Sequence, residues 1–336
     1  MTDLPLGMRL ARIKIAPEAG EAVYHCMTRV VNGERVIDDV AKEVLRKQLW
    51  LGAEFCGVEI LTYAILSNHF HVLVKVPVKT VPTDAELLRR YRLLHPKPTQ
   101  YQTERLDVIT ALLKTDAPEA DAWRKRQLAL IGDVSAFMKL VKQRFATWFN
   151  KSHRRYGALW AERFKSVLVE PKTRTIETVA LYIDLNPVRA GLVQDPKDYR
   201  FCGYGEAVAG NKSARAGLQA IAGPAQTWPQ AQTAYREALF GTGTTTKQHA
   251  QAITSAAFEK VLKQKGRLPL ATVLRCRVRY FTDAAVLGSQ AFVETHLAAY
   301  RQRHGARERT APRPLSPITD WGGLTSLRGL RRKIFG

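Results

Sequence analysis

The stretch from Val58 to Val76 constrains this chain most, because its pattern suits extended backbone. It is rich in apolar and β-branched residues and is interrupted only by Ser67-Asn68. Two extended runs joined by two small polar residues predict a β-hairpin. The second arm reads Asn68-His69-Phe70-His71-Val72-Leu73-Val74-Lys75-Val76. Side chains alternate along a strand, so Phe70, Val72, Val74 and Val76 share one uniformly apolar face, the predicted core face. His69, His71, Leu73 and Lys75 share the other, which is expected to be exposed. Two imidazoles at i and i+2 on one strand face can hold a single ion, although a His-x-His pair read alone fits two structural histidines equally well.

The neighbouring segments place this hairpin in a fold. Val23 to Val31, followed by Asn32-Gly33, reads as a first strand, and residues 38 to 51 carry Val40, Val44, Leu45 and Leu49 at helical spacing. Residues 80 to 133 are charged and helix-prone and form a helical insertion. From 134 to 151, Val134, Phe137, Met138, Val141, Phe145, Trp148 and Phe149 follow the i, i+3, i+4, i+7 rule. A strand over Leu159 to Val169 and a helix from Thr175 to about Leu185 complete the series, with Pro187 ending the helix. Strand, helix, strand, strand, helix, strand is the order of a ferredoxin-like α+β sandwich with an antiparallel sheet.

Residues 1–208 are therefore expected to form this domain, 209–254 a linker carrying a helix, and 255–336 a basic helical region. Helices are expected near 255–264, 270–280 and 290–303. A short apolar helix, a turn at Gly288 and Ser289 as the next cap make residues 281–303 helix-turn-helix-like.

Charge speaks to partners. The 336 residues hold 52 Lys and Arg against 30 Asp and Glu, a formal net charge of +22. For a basic protein with 46% apolar residues, enough for a real core, nucleic acid is the expected partner. Residues 260–336 contain sixteen Lys and Arg and four Asp and Glu, a net +12. Cys26, Cys56, Cys202 and Cys276 are scattered, which excludes a zinc ribbon and argues against a disulfide scaffold. Neither a secretory signal nor an 18-residue apolar run is present, so a soluble protein of a reducing compartment with no membrane partner is expected.

On the helix after the last strand, Ile176, Val179, Ala180 and Ile183 form the buried stripe. Tyr182 lies about 120° from its centre, and Asn186 projects about 40° from Tyr182. By itself a tyrosine there is more often a partly buried structural residue. Arg29, Lys75, Arg163, Lys165 and Arg189 supply positive charge near these segments, and Trp160 reads either as a base-stacking or as a core aromatic.

Taken together, Tyr63 to Val76 (YAILSNHFHVLVKV), Gly157 to Glu170 (GALWAERFKSVLVE) and Tyr182 to Val193 (YIDLNPVRAGLV) resemble the REP-associated tyrosine transposases. These are single-tyrosine relatives within the His-hydrophobic-His endonuclease superfamily. The resemblance covers roughly residues 22 to 208 without the insertion. It implies a bacterial, cytoplasmic and nucleoid-associated enzyme that cuts and rejoins single-stranded DNA at hairpin-forming repeats. His69 and His71 would hold a divalent ion (Mg²⁺ or Mn²⁺), Asn186 would be a third, amide ligand, and Tyr182 the nucleophile. Arg29, Lys75, Arg163, Lys165 and Arg189 would contact DNA, with duplex DNA a further partner of the C-terminal region. The long insertion and the short Asn186 depart from the compact members.

The chemistry suits the residues. A phosphodiester is anionic and resists attack, and an ion on neutral imidazoles polarises it. Phenolate leaves more readily than an alkoxide, so a later 3′-hydroxyl can reverse the step without ATP, consistent with the lack of a G-x-x-x-x-G-K-[ST] motif. Two other classes remain open: a catalytically silent DNA-binding regulator, and a metal-dependent hydrolase that uses water. The motifs do not specify oligomeric state.

Overall fold

The computed structural model describes residues 12–16, 20–78, 80–115, 117–223, 225–240, 268–275, 278–304 and 311–328. Strand β1 (Ala22–Arg29) runs into a tight turn in which Asn32 and Gly33 take left-handed φ of 56° and 70°. Helix α1 (Asp39–Cys56) then begins under an Asp38 side chain that accepts from the Ala41 amide at 2.8 Å. It ends where Gly57 adopts φ 62°, the left-handed conformation that releases a chain from a helix. The hairpin follows as β2 (Glu59–Ile65) and β3 (His69–Val76), turning at the Ser67-Asn68 pair.

Helices α2 (Asp84–Leu93), α3 (Gln100–Leu112) and α4 (Pro118–Leu128) form the insertion. They bury Leu87, Leu88, Ile109, Leu113, Ala120 and Trp123 in a small core of their own, which is how the insertion can be added without disturbing the sheet. Helix α5 (Val134–Ser152) and β4 (Lys165–Val169) close the six-element series. The order β2-β3-β1-β4, antiparallel throughout, is that of a ferredoxin-like sandwich, and the chain is an α+β protein. The last strand is shorter than expected: Leu159 and Trp160 only bridge to the end of β1, and pairing resumes at Lys165.

Helices α1 and α5 pack together on the Phe70 side of the sheet. The opposite side carries α6 (Thr173–Asp184), the short α7 (Asn186–Arg189), α8 (Gly203–Val208), α9 (Lys212–Ala222) and α10 (Trp228–Phe240). The expected linker is thus packed structure as far as residue 240. Gly217 of α9 sits so close to β2 that a Cβ would lie 2.5 Å from the Ile60 carbonyl oxygen.

The C-terminal region differs from expectation as well. Helices α11 (Leu270–Leu274), α12 (Tyr280–Asp283) and α13 (Gln290–His304) are interspersed with β5 (Val286–Gly288), β6 (Arg313–Pro314) and β7 (Thr325–Leu327). The strands continue the sheet as β4-β5-β7-β6, with β5 parallel to β4. The turn of the expected helix-turn-helix is therefore a strand: Val286 and Leu287 are β-branched or apolar and fully buried against the open edge of β4. Ser289 does cap the following helix, accepting from the Phe292 amide. The helix expected near 255–264 lies outside the described residues. Among the described residues no helix is long and apolar enough to cross a membrane.

Candidate active site

Alternation along β1 and β3 builds the site. The register pairs Met27 with His71 and Arg29 with His69, so Val23, His25, Met27 and Arg29 share the histidine face. Lys165 of β4 pairs with Met27 on that same face. Arg29, His69, His71 and Lys165 thus gather at one end of the central strands. Lys75 does not: it lies six residues along β3, about 20 Å away, and is ion-paired with Glu21 (3.0 Å) and Glu59 (3.8 Å). This sheet-end ion pairing lifts the Lys75 pKa despite partial burial. Lys165 is itself 3.4 Å from Glu162, and Arg163 is exposed in the bend before β4.

The histidine face is not open, contrary to the reading from alternation. His71 is 5% exposed and Tyr182 only 4%, because α6 and the C-terminal segment cover them. A tyrosine set 120° off an apolar stripe becomes buried when a second layer arrives on that side. The Tyr182 ring lies between Phe281, at 4.7 Å between centroids, and the Arg189 guanidinium, 4.1 Å above its centroid. It meets His71 and His25 edge-on at 6.2 and 6.3 Å.

Arg189 is placed by the short helix after Pro187. It donates to the Tyr182 carbonyl (2.6 Å) and the Leu274 carbonyl (2.7 Å). Its guanidinium therefore joins α6, α7 and α11, where a DNA contact was expected. The Asn186 side chain donates from Nδ2 to the Ile183 (3.1 Å) and Tyr182 (3.4 Å) carbonyls. Trp160 resolves as a core-side aromatic, packed on Phe70 and Phe145 with its Nε1 donating to the Lys142 carbonyl at 3.0 Å.

The neighbours of His69 fix its proton. Asn68 Nδ2 donates to the Gly33 carbonyl at 3.0 Å, which turns Asn68 Oδ1 toward His69 Nδ1, 2.6 Å away. An amide oxygen only accepts, so His69 carries a hydrogen on Nδ1, and in its neutral form the lone pair lies on Nε2. His25, fully buried beside His71, was not singled out from the sequence, although its even spacing from Val23, Met27 and Arg29 was the available signal. Burial, aided by the Arg189 charge, lowers the His25 pKa to about 4, against a smaller opposing effect of the Phe281 carbonyl. Burial and the neighbouring imidazoles likewise hold His71 well below its ordinary value. Both rings are neutral at pH 7.

Two residues further along α6, Asp184 anchors the helix. Its buried carboxylate accepts from Tyr235 Oη (2.6 Å), Thr62 Oγ1 (2.9 Å) and the Tyr204 amide (3.1 Å). Burial nonetheless raises its pKa to about 6.

The architecture is that of an α+β protein with paired imidazoles on the sheet face turned away from its two crossover helices. No family model and no curated protein matches the chain. Among solved structures, one of a REP-associated tyrosine transposase bound to a REP hairpin is similar over 60% of this chain and 87% of that one. The identity is 15% and the TM-score 0.34.

Proposed function

We propose that this protein is a single-stranded DNA endonuclease and strand transferase, acting on hairpin-forming repeats through a 5′-phosphotyrosine and using a divalent ion, Mg²⁺ or Mn²⁺. The observation that carries the reading is the approach of the Tyr182 ring to His71, beside a His69 whose Nδ1 hydrogen is held by Asn68. Family resemblance at the three sequence motifs supports it.

The donor types suit such an ion, with the His69 and His71 rings 5.2 Å apart between centroids. Among the described residues, no group of three or more His, Cys, Asp or Glu is placed to hold a metal. An ion would therefore rest on His69 and His71 together with a donor of another kind, and the Asn186 amide oxygen is one. Bound there, the ion would polarise a phosphate oxygen and offset developing charge. Tyr182 Oη attacks phosphorus, forming the Tyr–O–P bond and breaking P–O3′. The phenolic proton passes to solvent, and the leaving 3′-oxygen takes up a proton to become a hydroxyl. Attack by another 3′-hydroxyl reverses these events and joins a new end. Arg29, Arg163 and Lys165 neutralise the strand's phosphates beside the histidines, and the protein is expected to act on DNA in the bacterial cytoplasm.

One observation favours a second reading. With Tyr182 only 4% exposed, a phosphodiester reaches Oη only if the packing around the ring opens. A silent DNA-binding regulator would need no such movement. The two separate on one experiment: a hairpin with a single-stranded arm, labelled at its 3′ end, is incubated with protein and Mn²⁺ and run on a denaturing gel. The transferase gives a labelled protein band and a free 5′ fragment ending in a 3′-hydroxyl. Absence of both, with tight binding retained, would select the regulator, and cleavage without a protein-linked band would select a water nucleophile.

A further inference from the structure

The second metal-binding imidazole has a partner the motifs do not contain. His25 on β1 lies opposite Leu73, which makes it the diagonal neighbour of His71 across the β1–β3 pair. Their rings are 5.1 Å apart at 28°, and His25 Nε2 is 2.9 Å from His71 Nδ1. The other nitrogen of His25, Nδ1, lies 2.9 Å from the backbone carbonyl oxygen of Phe281.

These contacts decide where the protons sit. A carbonyl oxygen only accepts, so His25 must carry its hydrogen on Nδ1. A neutral imidazole has one N–H, and His25 is wholly enclosed with no carboxylate among the described residues hydrogen-bonded to it. Its Nε2 is then an acceptor, and the donor facing it is His71 Nδ1–H. That leaves the lone pair of His71 on Nε2, the nitrogen on the far side of its ring from β1. His69 reaches the same tautomer by a separate route through Asn68 and the Gly33 carbonyl. Two relays, each ending on a backbone carbonyl, converge on the two histidines. An interaction of this kind commonly fixes the ring orientation and raises the basicity of a ligating histidine.

We propose that His25 is a positioning residue of the ion site, holding His71 in the tautomer and orientation in which Nε2 is the ligand. This rests on the proposed function to the extent that His69 and His71 bind an ion. Because the acceptor that sets His25 comes from Phe281, the C-terminal segment takes part in preparing a site built from β1 and β3.

The test uses the full chain and two readouts. Long-range ¹H–¹⁵N correlation on the metal-free protein, with ¹⁵N-labelled histidine, reads each tautomer directly; His25 and His71 are both expected protonated on Nδ1. Mn²⁺ affinity is then measured by electron paramagnetic resonance for wild type, His25→Phe and His25→Gln. Phenylalanine keeps the volume and loses the acceptor, so Mn²⁺ binding should weaken by roughly 10- to 100-fold, with His71 distributed over both tautomers. Glutamine reaches the Nε2 position with an amide oxygen and should restore affinity to within a few-fold of wild type. A wild-type His71 protonated on Nε2 would overturn the proposal without any variant, as would a His25→Phe protein that binds Mn²⁺ as tightly as wild type. If wild type shows the expected tautomers yet binds no Mn²⁺, the ion reading falls, and His25's role with it, while the proton assignment stands.

Discussion

Tyr182→Phe removes one oxygen from a ring whose faces are packed by Phe281 and Arg189, so the packing should survive. Covalent adduct and cleavage should fall by roughly 10³-fold or more, with DNA affinity unchanged; cleavage at the wild-type rate by the purified variant would reject a tyrosine nucleophile. His69→Ala and His71→Ala should lose the activity that a chelator removes from wild type, and Asn186→Ala should raise the Mn²⁺ concentration needed for half-maximal cleavage. Full wild-type cleavage in excess chelator would count against all three. Asp184 sets a pH dependence of a different kind. Its carboxyl titrates near 3.8 when unfolded and at about 6 when buried, so between these values the folded chain holds more protons. The stability it contributes is full below about pH 4 and declines as pH rises through 6. Asp184→Asn has no such slope, and its amide nitrogen replaces an oxygen that accepts from two of these donors, so it should be destabilised at every pH. Its deficit relative to wild type should shrink by about 2–3 kcal/mol between pH 4 and 7. Urea unfolding of both proteins at those pH values measures this, and a deficit that grows instead would contradict it.

At the scale of elements, the join between β4 and β5 carries the most consequence. Gly288 ends β5 where a Cβ would lie 2.6 Å from the Glu170 Cβ and 2.8 Å from Phe292. Glu170 closes the junction by accepting from the Ser289 amide (2.7 Å) and hydroxyl (2.9 Å), and Lys172 pairs with it at 2.8 Å. Gly288→Val should push the strand off the edge of β4 at a cost of about 1–3 kcal/mol. Limited proteolysis should then cut within Gln290–His304 sooner than in wild type; an unchanged cleavage pattern and unfolding midpoint would show that the edge tolerates the side chain. At this junction a strand stands where the residues predict a turn. Gly288 followed by Ser289 is good turn-and-cap chemistry, and Ser289 does cap a helix. A three-residue strand is too short to register as a period, and only the unpaired edge of β4 makes Val286 and Leu287 extend.

For the whole molecule, the C-terminal segment is part of the sheet and of the site cover. Phe281, Val286, Leu287 and Leu327 are fully buried. Ending the chain after residue 254 would uncover Tyr182 and the edge of β4, which invites aggregation. Such a protein should lose more than about 3 kcal/mol of stability and bind a hydrophobic dye; a truncated chain that unfolds at the wild-type midpoint would disprove the integration. Charge acts at this scale too. With a net +22, DNA affinity should fall steeply with salt. Arg29→Gln and Arg163→Gln, both at exposed positions, should each make the log–log salt slope on single strands shallower by about 0.7. Slopes that stay equal would remove these arginines from the DNA path.

The residues alone determined the strand–helix order, the hairpin at Ser67-Asn68 and the face of β3 that carries His69 and His71. Alternation, helical spacing and caps are local properties, readable within a dozen residues. The α+β class followed from that order. Tertiary structure decided what lies over the histidine face, and that required contacts distant in sequence. His25 meets His71 only through the β1–β3 register, and its other hydrogen bond reaches Phe281, 256 residues further along the chain. Burial of Tyr182, the ion pairing of Lys75 with Glu21 and Glu59, and the capture of Arg189 by two carbonyls likewise depend on which segments pack together. A side chain's exposure and its protonation state belong to the assembled surroundings, and no periodicity in the chain encodes them.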